Sequence, residues 1–345
     1  MRPPLRIAIL DDYLKVARDL ADWESLPGPA QVDVFPQHID DEDELVSQLE
    51  PFDVVCLMRE RTAFPRRVIE RLPRLQLIVT SGRANASIDV AAAAEQGVLV
   101  CGTEARYEST VELTWALILA AVRDIPRQDA STRSGTWQTS LGQGLYAKRL
   151  GVIGTGNVGA AVARIGVAFG MDVVGLDVLE ERVRNAGATP VGKNELLGTS
   201  DVVTIHLRLT ERTRGFIGAA ELRRMKPNAF LVNTSRAQIV DQVALIRALR
   251  HGTIAGAALD VYDVEPLPPH HPLISAPHTV LSPHLGYSSR ENMARFYAQM
   301  AEDIAGFQAG EPLRVIRPDF DEAPSRTAPV RETDGTRRPL PADQH

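Results

Sequence analysis

Residues 149–177 read RLGVIGTGNVGAAVARIGVAFGMDVVGLD, and their order decides the fold. Leu150, Val152 and Ile153 form a short apolar run that enters Gly154-Thr155-Gly156-Asn157-Val158-Gly159. Beyond it Val158, Val162, Ile165 and Phe169 recur at spacings of four, three and four, which puts one apolar face on a helix. A second run, Val173-Val174-Gly175-Leu176, ends at Asp177.

Strand, glycine turn, helix, strand and acid in that order predict a dinucleotide-binding unit. Gly154 allows the tight turn out of the strand, Gly156 lets a pyrophosphate approach the backbone, and Gly159 lets helix and strand pack closely. Thr155, Asn157 and Val158 complete the loop, where free N–H groups and the positive end of the helix dipole face the phosphates. Asp177 stands where an acid accepts hydrogen bonds from the adenosine ribose. A carboxylate there repels a 2′-phosphate, so NAD is the expected cofactor. Arg182 and Arg184 lie just beyond it and leave NADP open.

The rest of the chain sets bounds on this unit. At 345 residues it is long enough for two domains. A hydrophobic fraction of 44% and a charged fraction of 24% are those of a soluble globular protein, and a net charge of -6 offers no footprint for nucleic acid or an anionic membrane. Small molecules are the expected partners. Cys56 and Cys101 are too few for a disulfide framework or a four-ligand zinc site, and no metal is expected. Neither the N-terminus nor Leu113–Val122 has the length of a signal or a membrane span, so a cytoplasmic protein is the expectation.

Ahead of the glycine turn, short apolar runs alternate with amphipathic segments. Ile7–Leu10, Val32–Phe35, Val54–Leu57, Leu77–Val79 and Val98–Val100 read as strands with helices between most of them, which predicts a doubly wound parallel sheet without a glycine turn of its own. The loop Thr80-Ser81-Gly82-Arg83-Ala84-Asn85 leaves one of these strands. Gly82 amides with Arg83 suit a substrate carboxylate; alternatively Asn85 and Ser87 only cap the next helix. A long helix from Tyr107 to Val122 links the two units. Gln128–Tyr146 reads as a polar loop crossing between them.

After Asp177, strands recur at Val202–Ile205, Phe230–Val232, Ala255–Leu259 and Thr279–Leu281, and Ser288 is the expected N-cap of a last helix through Phe307. The expected architecture is two doubly wound α/β parallel-sheet domains, a Rossmann dinucleotide domain (107–286) inserted into a flavodoxin-like substrate domain (1–106 and 287–316). Residues 317–345, rich in proline and charge, read as a flexible tail.

Three strand ends carry the candidate chemistry: Asn233-Thr234-Ser235-Arg236, Asp260-Val261 to Glu265-Pro266, and Ser282-Pro283-His284-Leu285-Gly286. Loops at the carboxyl ends of such strands face the side to which the glycine turn points. Oxidising a secondary alcohol by hydride loss leaves a proton to remove, and an imidazole titrates close to neutral pH, which suits His284. A carboxylate beside it fixes the ring and favours the imidazolium. Arg236 offers a planar fork that grips a carboxylate in two places.

At these residues the sequence resembles the D-isomer-specific 2-hydroxyacid dehydrogenases, a family that includes phosphoglycerate, glyoxylate/hydroxypyruvate and D-lactate dehydrogenases. The resemblance covers about residues 5–316 and rests on Gly154-x-Gly156-x-x-Gly159, Asn233-Thr234-Ser235-Arg236, Asp260-Val261 to Glu265-Pro266 and Pro283-His284-x-Gly286. It implies NAD-dependent interconversion of a D-2-hydroxy acid and its 2-oxo acid. Arg236 would bind the substrate carboxylate and C2 oxygen, Glu265 would pair with His284, and His284 would exchange the proton. Gly82 and Arg83 would lie in the substrate loop. Cofactor contacts would extend to Thr110, His206, Thr234, Ser235, Asp260, His284 and Gly286, and the linking helix would be the surface of a homodimer.

Several positions depart from the family pattern. Ala237 replaces a glycine, Arg208 a proline, Leu113 a histidine, and Gly286-Tyr287-Ser288 a Gly-Gly turn. Arg83 adds a cation that suits a dicarboxylate or a phosphorylated acid, or pairs with a nearby acid. The rival reading is an NAD-sensing binding protein of the corepressor-like branch. Formate dehydrogenases place glutamine where Glu265 stands, which argues against formate as substrate.

Overall fold

The computed structural model describes residues 3–318, in which the apolar runs assemble into two sheets, both wholly parallel. The tail expected over 317–345 falls, from residue 319, outside the described residues. The first sheet takes β1 (Leu5–Ile9), β2 (Ala30–Val34), β3 (Val54–Leu57), β4 (Leu77–Thr80) and β5 (Leu99–Gly102) in the order β2-β1-β3-β4-β5. Its register sets Ile7 against Val32 on one side and Val54 on the other.

Every residue of β3 and β4 is buried, which explains runs of apolar side chains without alternation: helices cover both faces. One face holds Leu45, Leu49, Val68, Ile69 and Ala92. The other receives Met293, Phe296, Tyr297 and Met300 from the helix Arg290–Ala309, so the end of the described chain packs on the sheet that began it. Truncating the fully buried Phe296 to alanine is of the kind that costs about 3–5 kcal/mol.

The second sheet takes β6 (Arg149–Ile153), β7 (Asp172–Leu176), β8 (Thr189–Pro190), β9 (Val202–Ile205), β10 (Phe230–Asn233), β11 (Gly256–Leu259) and β12 (Thr279–Leu281). Its order is β12-β11-β10-β9-β6-β7-β8. The chain builds outward from β6 through β7 to β8, then returns to the other side of β6 and builds β9 to β12. Ligands in such sheets sit beyond the carboxyl ends of the strands where this reversal occurs. The first sheet reverses in the same way between β1 and β3. Two doubly wound parallel α/β units are therefore the architecture.

Two local readings need correction. Within 128–146 the chain is helical up to Arg133, in a helix Ile125–Arg133 whose proline sits in the first turn, where its missing N–H is not needed. None of its residues is buried, so no apolar periodicity marked it. The segment after it does not cross between the sheets: Gln143 N donates to Val122 O at 2.7 Å and Ala147 N to Gly170 O at 3.0 Å. The last helix is capped by Ser289, whose hydroxyl accepts from Asn292 N, because Ser288 N is drawn into a turn onto Leu285 O.

The chain passes between the sheets near residues 103–109 and 286–289, and the two passages are bonded together. Arg106 N donates to Asn292 Oδ1 at 3.0 Å, Asn292 Nδ2 to Tyr287 O at 2.8 Å, and the Ser109 and Ser289 hydroxyls meet at 2.9 Å. Asn292 is fully buried. Both passages therefore adjoin the carboxyl ends of the strands.

Candidate active site

The glycine turn has the geometry that a dinucleotide needs. Gly154 has φ +87°, and a Cβ there would come within 2.7 Å of His206 O. A Cβ on Gly159 would lie 1.9 Å from Gly154 O, so only glycine lets the helix Asn157–Ala168 approach β6 this closely. Gly156, the N-cap, has open space in front of it, and no side chain caps the helix. Its first N–H groups are left for an anionic ligand. Asp177, at the end of β7, accepts from Thr155 N at 2.8 Å and from Thr155 Oγ1 at 3.1 Å, which sets its carboxylate at the mouth of the turn. These residues fit a dinucleotide on observed geometry.

Neighbouring groups frame the same cleft. His206 Nε2 meets Thr204 Oγ1 at 3.0 Å, and burial pushes the imidazole down to about 3, so it stays neutral. Ser235 Oγ donates to Leu207 O, and the Thr234 and Thr114 hydroxyls meet at 2.9 Å. Thr110 Oγ1 donates to Gly286 O at 2.9 Å. These contacts pin the loops after β9, β10 and β12 to one another and to the linking helix Glu108–Val122.

Two carboxylates hold the histidine from within the second sheet. Asp260, fully buried at the end of β11, accepts from Ser282 Oγ (2.6 Å), Leu285 N (2.7 Å) and Gly286 N (2.8 Å). Burial raises its pKa, and those donors offset only part of the rise. Its carboxylate thus organises the turn that carries His284, whose φ of +53° lies in the left-handed region. Glu265 accepts from Tyr262 N through Oε1 at 2.8 Å and meets His284 Nδ1 through Oε2 at 2.6 Å. With Nδ1–H bonded to the carboxylate, Nε2 is the nitrogen left for proton exchange.

Arg236 follows β10 and reaches the other sheet. Nη1 donates to Ser235 O at 2.8 Å and Nη2 to Glu60 Oε1 at 2.7 Å, an ion pair between residues 176 positions apart. Burial alone would raise the Glu60 carboxyl, but Arg59 and Arg236 outweigh it and hold its pKa below the ordinary value. Arg59 Nη1 donates to Ser81 O at 3.2 Å and lies so close over Gly82 that a Cβ there would meet it at 2.0 Å. Asn85 Nδ2 donates to Arg59 O at 2.6 Å, so Asn85 fastens this loop as well as bonding Ser87 N.

Of the two fates open to Arg83, the structure shows the pair with a nearby acid. Its guanidinium pairs with Glu104 at 2.5 Å and is 69% exposed, so the cation against Gly82 is Arg59. The carboxylate of Glu104 also holds Arg295 and outcompetes the cleft for Arg83. His38 bonds Asp11 at 3.0 Å, and that contact raises its pKa against the effect of burial.

Neither Arg59-Glu60-Arg61 nor Tyr287 stands out in the sequence as part of a site. Arg61 Nη1 donates to Asp11 O at 2.7 Å and its guanidinium covers the Tyr13 ring at 4.2 Å, spanning the ends of β1 and β3 where the first sheet reverses. The Tyr287 ring stands edge-on to His284, centroids 5.5 Å apart, with the Arg59 guanidinium 5.9 Å from its centre. Burial pushes its phenol up to about 12, against the pull of Arg61 and Arg59. A chain of contacts therefore runs Arg236, Glu60, Arg59, Tyr287, His284, Glu265. The signal for the first of these was a run of alternating charge at a strand's carboxyl end.

The site thus joins a guanidinium that can grip a carboxylate, a histidine backed by a carboxylate, and a turn shaped for a dinucleotide. Comparisons with known proteins agree in kind. Residues 115–286 match the D-isomer specific 2-hydroxyacid dehydrogenase, NAD binding domain. The glyoxylate reductase of Korarchaeum cryptofilum is 37% identical over 299 residues, 84% of this chain and 86% of that one. The D-3-phosphoglycerate dehydrogenase of Methanocaldococcus jannaschii is 38% identical over 307 residues, 87% of this chain but 56% of that one. A crystal structure of phosphoglycerate oxidoreductase from Vibrio cholerae superposes with a TM-score of 0.84 at 35% identity, covering 89% of this chain and 99% of that one.

Proposed function

This chain belongs to the D-isomer specific 2-hydroxyacid dehydrogenase family and is an NAD-dependent oxidoreductase, and from that premise we propose that it interconverts a D-2-hydroxy acid and its 2-oxo acid, with His284 exchanging the proton. The observation that carries the proposal is the 2.6 Å contact of Glu265 with His284 Nδ1, on a turn wired to Asp260.

Arg236 binds the substrate carboxylate and, through a second N–H, the C2 oxygen. Gly82 lies in the loop beside the same carboxylate, its own N–H held by Thr103 Oγ1 at 2.9 Å, and Arg59 supplies there the charge that Arg83 gives to Glu104. Gly154 to Gly159, Asp177, His206 and Thr110 hold the dinucleotide, and Asp177 favours NAD over NADP. The nicotinamide, when bound, takes or supplies the hydride. In oxidation, His284 Nε2 accepts the hydroxyl proton as the hydride leaves C2, and Glu265 stabilises the imidazolium that results. In reduction the same imidazolium protonates the C2 oxygen.

A homodimer is supported by large apolar side chains left exposed just past the linking helix: Ile125, Trp137, Leu141 and Tyr146 are 53%, 76%, 100% and 83% exposed. Contact with a second copy would cover them.

The test follows NADH and NADPH absorbance with glyoxylate, hydroxypyruvate, pyruvate and other 2-oxo acids. Turnover with at least one is expected, and His284→Ala is expected to lower kcat about 10²–10⁴-fold with NADH affinity kept. A protein that binds NADH but turns over none of them leaves only a nucleotide-binding role.

A further inference from the structure

Glu60 and Arg236 come from different sheets, and their ion pair crosses the cleft. The partner is chemically telling: a carboxylate of the chain occupies the guanidinium that the proposed function assigns to the carboxylate of the substrate. Two anions side by side on one guanidinium repel, so an arriving acid and Glu60 cannot share it on equal terms.

The surroundings give Glu60 somewhere else to go. Oε1 bonds Arg236, whereas Oε2 is buried with no hydrogen bond among the described residues, 3.7 Å from Arg59 Nε. Arg59 is close enough to attract that oxygen and too far to bond it. Arg59 is itself anchored, its backbone N–H on Ser81 Oγ (2.7 Å), its carbonyl on Asn85 and its guanidinium Nη1 on Ser81 O (3.2 Å), so it stays put while Glu60 moves. A small rotation of one side chain exchanges one guanidinium for the other.

We infer that Glu60 is a specificity-determining residue: a resident carboxylate that occupies Arg236 until the carboxylate of a substrate displaces it onto Arg59. The inference rests on the proposed role of Arg236 and adds a consequence to it. A carbonyl compound without an acid group has nothing with which to displace Glu60, so the cleft rejects it. An acid binds more weakly than it would to a free arginine, because it must first replace an anion already there.

The experiment uses the full-length protein with Glu60→Gln, which keeps size and removes charge, and Glu60→Ala as a second variant. KM for glyoxylate and the Kd of oxamate, an unreactive isostere of a 2-oxo acid read by quenching of bound NADH fluorescence, are each expected to fall about 3- to 10-fold, the worth of one partly exposed charge-assisted contact. The change falls on KM rather than kcat, and NADH affinity stays as it was. Unchanged or weaker oxamate binding in both variants overturns the inference, since Glu60 would then orient Arg236 instead of competing for it. If the unsubstituted protein neither reduces any 2-oxo acid nor binds oxamate, the enzymatic reading fails first and the inference falls with it.

Discussion

Replacing Glu265 by glutamine removes one charge and one acceptor while keeping the shape of the side chain. In the structure both carboxylate oxygens accept from N–H groups: Oε1 from Tyr262 N at 2.8 Å and Oε2 from His284 Nδ1 at 2.6 Å. Glutamine has a single acceptor oxygen. The backbone N–H of Tyr262 cannot turn away, so the amide oxygen stays there and the amide nitrogen faces His284. An NH₂ group opposite Nδ1 requires a lone pair on Nδ1, which moves the ring hydrogen to Nε2. That tautomer cannot accept the proton of an alcohol, and an imidazolium would bring two donors together. The loss is therefore that of general acid–base catalysis, about 10²–10⁴-fold in kcat, or about 3–5 kcal/mol of barrier. Stopped-flow single turnovers with NADH and the best 2-oxo acid would measure it, alongside NADH titration to show that the glycine turn is intact. Glu265→Asp keeps both oxygens and should lose less than Gln. A Gln variant within threefold of the original in both directions would refute the tautomer argument and free His284 from dependence on Glu265.

Three further outcomes are expected. Asp177→Ser, which keeps an acceptor for Thr155 N but not the charge, should shift the NADPH-to-NADH affinity ratio by about tenfold toward NADPH, near 1.4 kcal/mol, checked by fluorescence titration; an unchanged ratio places discrimination elsewhere. The original is expected to sediment as a dimer and Leu141→Glu with Trp137→Glu as a monomer in sedimentation velocity, whereas no change removes that segment from the interface. Asp303, fully buried on the last helix, has its carboxyl raised to about 7 by burial despite Arg314 Nε at 3.0 Å. The folded state then holds a proton that the unfolded chain releases near pH 4, so this contribution to stability is present at low pH and is lost as pH rises toward 7. Asp303→Asn, uncharged throughout, should gain on the original by about 1–4 kcal/mol between pH 5 and pH 8 in urea unfolding. A stability difference that does not move with pH contradicts a raised carboxyl.

What was legible in the sequence was mostly local. The strand, turn, helix and acid of 149–177 lie within one stretch, and the reasons for glycine at Gly154 and Gly159 are contacts only a few residues or one neighbouring strand away. Arg236, Glu265 and His284 each follow a strand, and the parallel order β10-β11-β12 brings the ends of those strands side by side. Glu60 was illegible for the opposite reason. A charged run after a strand looks like any solvated loop, and its meaning comes from Arg236, on the other sheet. The sequence leaves two fates open to Arg83, because the acid that takes it, Glu104, lies two residues past β5 and is not its neighbour in the chain. The helix Ile125–Arg133 went unread because it buries nothing, and the 3.6-residue period is visible only when one face is apolar.

The carboxylate of Asp260 has a consequence beyond geometry. It grips the backbone on the C-terminal side of His284, while Glu265 grips the ring, and all three side chains belong to the same sheet. Of the groups that reach over from the opposite sheet, Glu60 bonds the substrate's proposed anchor, and Arg59 meets Glu60 and the Tyr287 ring rather than the His284–Glu265 pair itself. A cleft that widened to let product leave would therefore part its walls without dismantling the proposed proton carrier. On the proposed mechanism the imidazole would keep its alignment between one reaction and the next, and the molecule would begin each cycle already set.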